Sequence, residues 1–249
     1  MKSNFFEPFK CFPKSAALML VHPSWTLGLM ALTALLSIGA LLMGRHLGLP
    51  DQLQPDDIDG VVKQGMLNLA MLFPLELYFL PRWIIATDAG PLDSVYAPKT
   101  SDSKDNWRQL FEERWGRAFL ARLMLGVATS IGFFLCLVPG ILVLIFFGWT
   151  PWRVLLRGEP IIAAAKSCAR SMAVLWPQVL MVATAIMLVV LVFNGFAATA
   201  ASAIAGDYAS YASTAAAAVS MVWMNAALLA LYQWMEKSVS RDQGSGGKG

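Results

Sequence analysis

The sequence predicts an all-α, polytopic membrane protein with six transmembrane helices and three amphipathic helices on the cytoplasmic surface. Of its 249 residues, 57% are hydrophobic and only 14% are charged, against about 25% charged in an average soluble domain. The apolar residues are gathered into stretches of about 20, the length that crosses a bilayer core of about 30 Å. The basic residues collect in alternate loops, which predicts the orientation of the spans across the membrane as well as the membrane class.

The six apolar stretches lie near 25–43, 64–85, 119–138, 141–157, 177–197 and 214–235. The third and fourth share 30 uncharged residues between Arg122 and Arg153, too many for one crossing. Pro139-Gly140 falls between them, and such a pair is typical of turns. We therefore expect a hairpin there, within a single membrane domain over 1–240 that is followed by a flexible cytoplasmic tail over 241–249.

The direction follows from lysine and arginine, which stay in the short cytoplasmic loops of membrane proteins. With the N-terminus inside, seventeen of the 19 basic residues fall on the cytoplasmic side. Only Arg45 and Lys63 fall outside. This distribution predicts a multi-pass protein of a bacterial inner membrane with both termini in the cytoplasm.

Three stretches next to the spans have a helical pattern but are too polar to cross: the N-terminal stretch, 106–119 and 159–175. We expect them to lie in the headgroup plane. Their regular placement predicts a threefold repeat of a surface helix followed by a hairpin. Glu7-Pro8 with Lys14-Ser15 matches Glu159-Pro160 with Lys166-Ser167 at an offset of 152 residues. The alternative is a chance match in an alanine-rich chain.

Glu76 is the sharpest polar candidate within the membrane. It lies between Pro74 and Pro81 in the second span, where each proline removes a backbone donor and can break the helix. A carboxylate in a broken helix suits a cation-coupled transporter. The alternative interpretation is a structural carboxylate that pairs with a neighbouring helix.

Three arginines, Arg82, Arg122 and Arg153, fall near the inner ends of their spans. Their guanidinium groups are candidates for holding lipid headgroups, because the planar fork matches phosphate oxygens. Snorkelling arginines in an aromatic belt with Trp149 and Trp152 would look the same. Asn68, Asn194 and Asn225 are further intramembrane polar candidates, and hydrogen bonds between helices explain them most simply.

No metal, cofactor or catalytic signature occurs in the sequence. The outer loop carries Asp51, Asp56, Asp57 and Asp59, but it lacks the residue order of a calcium loop, so a solvated acidic loop is expected. The three cysteines show no zinc or disulfide spacing. A net charge of +3 without a basic stripe excludes a nucleic-acid partner.

One region resembles a known group of membrane proteins. Val138-Pro139-Gly140-Ile141, then Trp152-Arg153, then the run from Ala163 to Ser171 are similar to the region shared by the YciC-like proteins and the membrane domains of some glycerophosphodiester phosphodiesterases. The resemblance covers roughly 135–180. It implies a bacterial inner-membrane protein with an envelope or lipid connection. The hydrolase chemistry is not carried over, because the sequence has no counterpart of the soluble phosphodiesterase domain.

These observations predict a non-enzymatic protein that binds anionic lipid headgroups or a partner at its cytoplasmic face. The partner would be another membrane protein or a second copy of the chain. The alternative hypothesis is a small transporter or lipid scramblase that uses Glu76. A membrane hydrolase ranks last, because no nucleophile and base converge in the sequence.

Overall fold

Long helices make up nearly all of the structure, a computed structural model that describes residues 7–49, 58–88, 106–135 and 137–245. No strand occurs within these ranges, so the all-α prediction is confirmed for them. The helices are α1 (Cys11–Val21), α2 (Pro23–His46), α3 (Ile58–Pro74), α4 (Leu80–Asp88), α5 (Asn106–Leu135), α6 (Leu137–Phe147), α7 (Thr150–Arg157), α8 (Ile161–Ile204) and α9 (Ala209–Ser245).

Five segments of the described chain are long and apolar enough to cross a membrane. They are Pro23–His46, Phe111–Leu135, Val138–Arg157, Ile161–Ile204 and Ala209–Val239. The multi-pass membrane class is therefore confirmed at this level. The predicted second span, 64–85, is not among these five segments, because a π turn over Leu75–Phe79 separates α3 from α4. Pro74 and Pro81 flank that turn, and each removes a backbone hydrogen-bond donor from the helix.

Two of the predicted surface helices continue directly into the spans that follow them. The stretch 106–119 is the start of α5, and 161–175 is the start of α8, a single helix of 44 residues. Pro177 lies inside α8 without ending it. Only the N-terminal stretch is a separate helix: α1 ends at Val21, and α2 begins at Pro23 with the proline in its first turn, a favoured position.

The hairpin between the third and fourth spans is present, but Pro139-Gly140 does not form its turn. Helix α5 ends at Leu135 and α6 begins at Leu137, and the Pro-Gly pair lies in the first turn of α6. Proline is tolerated there because the first turn needs no backbone donor. A Cβ added to Gly132 would lie 2.8 Å from the Cα of Gly140. The two glycines therefore let the backbones of α5 and α6 come into contact.

The described chain divides into two compact units. Unit 1 takes Met1–Val21, Ile84–Ala185 and Ala227–Gly249, and unit 2 takes His22–Trp83 and Ile186–Ala226. The predicted surface helices and the C-terminal ends of α4, α7 and α9 belong to unit 1.

Consecutive side chains are buried in three helices of unit 1, at the C-terminal ends of α4 and α7 and within the C-terminal half of α9. These are Ile84–Asp88 of α4, Arg153–Leu156 of α7 and Leu229–Gln233 of α9. A helix that is buried on every side lies at a centre, whereas a surface helix buries one stripe. On α1, by contrast, the buried residues Cys11, Ser15 and Leu18 follow one face at four- and three-residue spacing.

Candidate functional site

Polar and charged side chains meet among these buried helix segments of unit 1. We call this group the buried polar cluster and define it as Asp88, Arg153, Arg157, Ser167, Ser171, Gln233 and Glu236. Burying a charge is costly unless it is paired and hydrogen-bonded. The partners of each charge therefore decide what the cluster can do.

Arg153 is the most completely enclosed basic residue of the cluster, with only 1% of its side chain exposed. Its Nη2 lies 2.5 Å from Oε1 of Glu236, which is equally buried. The same nitrogen donates to the Ser171 hydroxyl at 2.9 Å, and Nη1 donates to the hydroxyl of Ser167. The two serines stand one turn apart on α8, so both hydroxyls lie on the same face of that helix and accept hydrogen bonds from one guanidinium.

Glu236 joins two arginines. Its second carboxylate oxygen accepts from Arg157, which lies one turn after Arg153 on α7. Nη1 of Arg157 also lies 3.1 Å from Oε1 of Glu159, and both of these side chains are about one quarter exposed or less. The ion pairs thus run from the interior at Arg153 to the partly exposed pair of Arg157 and Glu159.

Asp88 forms the second polar contact of α9. Its Oδ1 accepts a hydrogen bond of 2.5 Å from Nε2 of Gln233, three residues before Glu236. Asp88 lies beyond the predicted span 64–85. Burial raises the pKa of this carboxyl above its ordinary value, while the hydrogen bond from Gln233 and the charge of Lys14 lower it. Burial is the largest of the three effects.

The charges of this interior nearly balance. Among the described side chains of unit 1 that are buried or partly buried, five are basic, namely Lys14, Arg114, Arg153, Arg157 and Lys237, and four are acidic, namely Glu7, Asp88, Glu159 and Glu236. An interior in which opposite charges nearly cancel has little need of an external ion. Among the described residues, moreover, no group of three histidine, cysteine or acidic side chains could hold a metal.

The surface of unit 1 has a different charge. Among its described side chains, five exposed ones are basic, namely Lys10, Arg117, Arg122, Lys166 and Arg170. Two exposed ones are acidic, Glu112 and Glu113. The excess of positive charge therefore lies on the outside of this unit.

The three arginines predicted to hold headgroups occupy different environments. Arg122 is exposed, Arg153 is enclosed in the buried polar cluster, and Arg82 of unit 2 is partly buried. Nη1 of Arg82 donates to the Tyr78 hydroxyl at 2.7 Å. The surroundings of Arg153 are those of a packing residue, because a carboxylate and two hydroxyls contact its two terminal nitrogens, although its buried Nε has no hydrogen-bond partner.

The predicted intramembrane polar residues are spread over unit 2. The side chain of Glu76 lies outside the described residues, although its backbone belongs to the π turn. Asn68 approaches Gln64 at 3.5 Å, and Asn194 accepts a hydrogen bond of 2.9 Å from Ser220. Asn225 donates to the carbonyl of Met221 on its own helix at 2.9 Å.

Arg153 is the one cluster residue that the sequence singled out as a site residue, and the other six were missed, among them Asp88, Gln233 and Glu236. Asp88 and Glu236 stand just after the predicted spans 64–85 and 214–235, where a charge is ordinarily solvated. Gln233 lies inside the last span, where an amide attracts little notice. The signal that could have found them was a polar residue repeated at the inner end of the second, fourth and sixth predicted spans.

Comparison with known proteins provides no further assignment. No family model, no curated protein and no solved structure matches the chain.

Proposed function

We propose that the chain is a non-enzymatic, six-span protein of a bacterial inner membrane, with both termini in the cytoplasm, that binds anionic lipid at its cytoplasmic face. The observation that carries the proposal is the separation of charge in unit 1. Interior charges nearly balance, whereas the exposed ones are mostly basic. Such a surface favours anionic headgroups, which attract basic residues within a Debye length of the membrane.

The sixth span of this proposal is the helical stretch from α3 through the π turn to α4. A predicted span of 22 residues over 64–85 is long enough to cross. The threefold repeat is also part of the proposal. Its support is the burial of residues at the inner ends of the second, fourth and sixth predicted spans, in α4, α7 and α9, because three equivalent hairpins would bury equivalent positions.

Lipid retention tests the proposal. The protein is purified, exchanged into detergent, and incubated with phosphatidylglycerol or the neutral zwitterion phosphatidylethanolamine; bound lipid is then measured by native mass spectrometry. We expect retention of phosphatidylglycerol, and a severalfold loss in Lys166→Gln/Arg170→Gln, which removes two exposed charges from α8.

The matched control reverses the sign of the change. Glu112→Gln/Glu113→Gln removes the two exposed acidic charges of α5 and should retain at least as much phosphatidylglycerol as the unmodified protein. Equal retention of both lipids by all three proteins would refute the proposal. A second copy of the chain or another membrane protein would then be the better candidate for this surface.

A small transporter or lipid scramblase is the second candidate, and the π turn over Leu75–Phe79 favours it. Such turns interrupt the regular backbone hydrogen bonds and are frequent at functional sites. Glu76 is the second residue of this turn. In proteoliposomes, Glu76→Gln should abolish flux while Asp59→Asn, on the exposed start of α3, should not. Absence of flux in the unmodified protein counts against this candidate.

A further inference from the structure

An apolar cleft of about 320 Å³ lies in unit 2 between the start of α2 and the residues that lead into α4. It is lined by Trp25, Gly28, Leu29, Leu32, Phe79 and Trp83. Of the described residues that line it, none is charged. Trp25 and Phe79 are 40% and 43% exposed, so the cleft opens to the surroundings of the protein. In a membrane, those surroundings are lipid.

The walls of the cleft are held together by a buried hydrogen bond. Nε1 of Trp83 donates to the hydroxyl of Thr26 at 3.1 Å, and both side chains are buried. This bond joins α4 to the first turn of α2. The cleft is therefore a built feature of the packing, and its shape does not depend on an occupant.

One charged group stands beside this apolar cleft. The guanidinium carbon of Arg82 lies 6.0 Å from the centre of the Trp25 ring and 5.2 Å from that of Tyr78. Its Nη1 donates to the Tyr78 hydroxyl at 2.7 Å. These contacts orient the cation next to Trp25, a wall of the cleft. The planar fork of a guanidinium matches the oxygens of a phosphate.

The depth of the cleft matches the upper part of a lipid. Trp25 and Arg82 lie at the inner ends of the predicted spans 25–43 and 64–85, at the level of headgroups. Leu32 is seven residues further along α2, which is about 10 Å into the hydrocarbon. A positive charge at the headgroup level and apolar walls below it complement a phosphate with an attached acyl chain.

We propose that this cleft binds one phospholipid, with the acyl chain against Trp25, Leu32 and Phe79 and the phosphate on Arg82. The inference goes beyond the proposed function. Surface attraction at unit 1 concentrates anionic lipid without holding any one molecule, whereas the cleft in unit 2 retains an individual lipid. Either can fail while the other holds, since they use different residues.

Photo-crosslinking locates the acyl chain. The full-length protein is reconstituted with phosphatidylglycerol that carries a diazirine in its acyl chain, irradiated, and digested for mass spectrometry. We expect crosslinks on the peptides that contain 25–32 and 79–83. Gly28→Leu should remove them, because a side chain at Gly28 meets no atom within 4 Å of its Cβ and would grow into the cleft.

Gly39→Leu is the matched control on the same helix, since a Cβ at Gly39 also meets nothing within 4 Å and Gly39 does not line the cleft. It should leave the crosslinks unchanged. Unchanged crosslinking in folded Gly28→Leu, or equal loss in both variants, would overturn the proposal. Retention of the elution volume in size-exclusion chromatography establishes folding for each variant.

Arg82→Gln tests the phosphate contact. We expect the concentration of phosphatidylglycerol that gives half-maximal crosslinking to rise about tenfold, as for loss of one charge-assisted hydrogen bond. Arg45→Gln is the control, because Arg45 also lies over a tyrosine ring, Tyr211, at 4.9 Å but stands at the other end of α2 from the cleft. An equal effect of the two variants contradicts the phosphate assignment.

Inorganic phosphate separates a lipid from a free anion. Millimolar phosphate should leave the crosslinks intact, because an ion without a chain gains nothing from the apolar walls. If phosphate displaced the lipid probe, Arg82 would serve a soluble anion, and the lipid assignment would be wrong.

Discussion

Arg153 illustrates how a single residue can change its meaning between sequence and structure. In sequence it stands at the inner end of a span, where arginines meet headgroups or snorkel to the surface. In the structure it is enclosed by Glu236, Ser167 and Ser171. A buried pair of this kind is a weak source of stability, but breaking one partner away is costly, because the other charge stays buried.

Removal of Glu236 should therefore destabilise the protein strongly. We expect Glu236→Met to lower the free energy of unfolding by about 3–5 kcal/mol, since Arg153 would stay buried without its carboxylate. Arg153→Met/Glu236→Met should recover most of the loss, because Arg157 keeps Glu159 as a partner. Thermal unfolding in detergent measures both.

Lys63→Gln is the control for this measurement. Lys63 and Asp59 form an exposed pair one turn apart on α3, with side chains 59% and 76% exposed. Such pairs contribute at most about 0.5 kcal/mol. If the double Met variant melted as early as Glu236→Met alone, the ion pair would not be the cause of the loss.

The raised pKa of Asp88 predicts that the stability of the folded protein depends on pH, and it sets the sign of that dependence. Below the ordinary pKa of 3.8, the folded and unfolded chains both hold the proton. As pH rises above that value, the unfolded chain releases the proton first and the folded state loses stability. The loss is complete once pH exceeds the raised pKa of the folded protein.

Asp88→Asn should lack this loss, since its amide cannot ionise and its carbonyl can still accept from Gln233. We expect the melting temperature of the variant to rise relative to that of the unmodified protein as pH is raised from about 4 towards neutrality. Melting curves over this range, in one detergent, provide the comparison. If the melting temperature of the variant fell relative to that of the unmodified protein, the charge of Lys14 would outweigh burial in setting the pKa of Asp88.

At the scale of elements, the contact between α5 and α6 depends on two glycines. The first turn of α6 places Gly140 against Gly132, so the two backbones touch without intervening side chains. Gly158 has a comparable constraint at the end of α7. Its φ of +69° is left-handed, and an added Cβ would come within 2.9 Å of Nε of Arg114.

Gly132→Ala should destabilise the hairpin by about 1–3 kcal/mol, the usual cost of forcing an extra methyl group into a filled contact. Gly126→Ala on the same helix is the control, because its Cβ would meet nothing within 4 Å. That change should be neutral or stabilising by up to about 1 kcal/mol through helix propensity. Similar melting of the two variants would show that the hairpin opens without cost.

For the whole molecule, the decisive property is the number of crossings. Five segments meet the length and hydropathy needed to cross, and an odd number of crossings would put the termini on opposite sides. The basic residues do not separate the two numbers, because seventeen of the 19 fall on one side when the stretch 64–85 crosses and sixteen do when it does not.

Fusion reporters test the topology directly. With six spans, green fluorescent protein joined after residue 245 should fluoresce, and alkaline phosphatase inserted near residue 53 should be active because it is exported. A phosphatase inserted near residue 100 should be inactive. Activity at residue 100 would show that the second predicted span does not cross, and the orientation of all later helices would then be reversed.

The sequence by itself determined the helical class, most of the spans and the separation of basic residues, because these follow from composition and from the length of apolar stretches. It also located the Pro74 and Pro81 interruption, since proline acts on its own helix. The Pro139-Gly140 pair was located correctly as well, but its role as the turn was wrong: proline fits the first turn of a helix as well as a loop.

Only the tertiary structure decided which charges are buried and which residues share a site. Arg153 and Glu236 are 83 positions apart, and Asp88 and Gln233 are 145 apart, so no local pattern connects them. The same holds for the apolar cleft of unit 2, where Trp25 and Trp83 come from different helices. Hydropathy reports how far a helix extends through the membrane, whereas the packing of neighbours decides whether a polar side chain at its end meets water, lipid or an opposite charge.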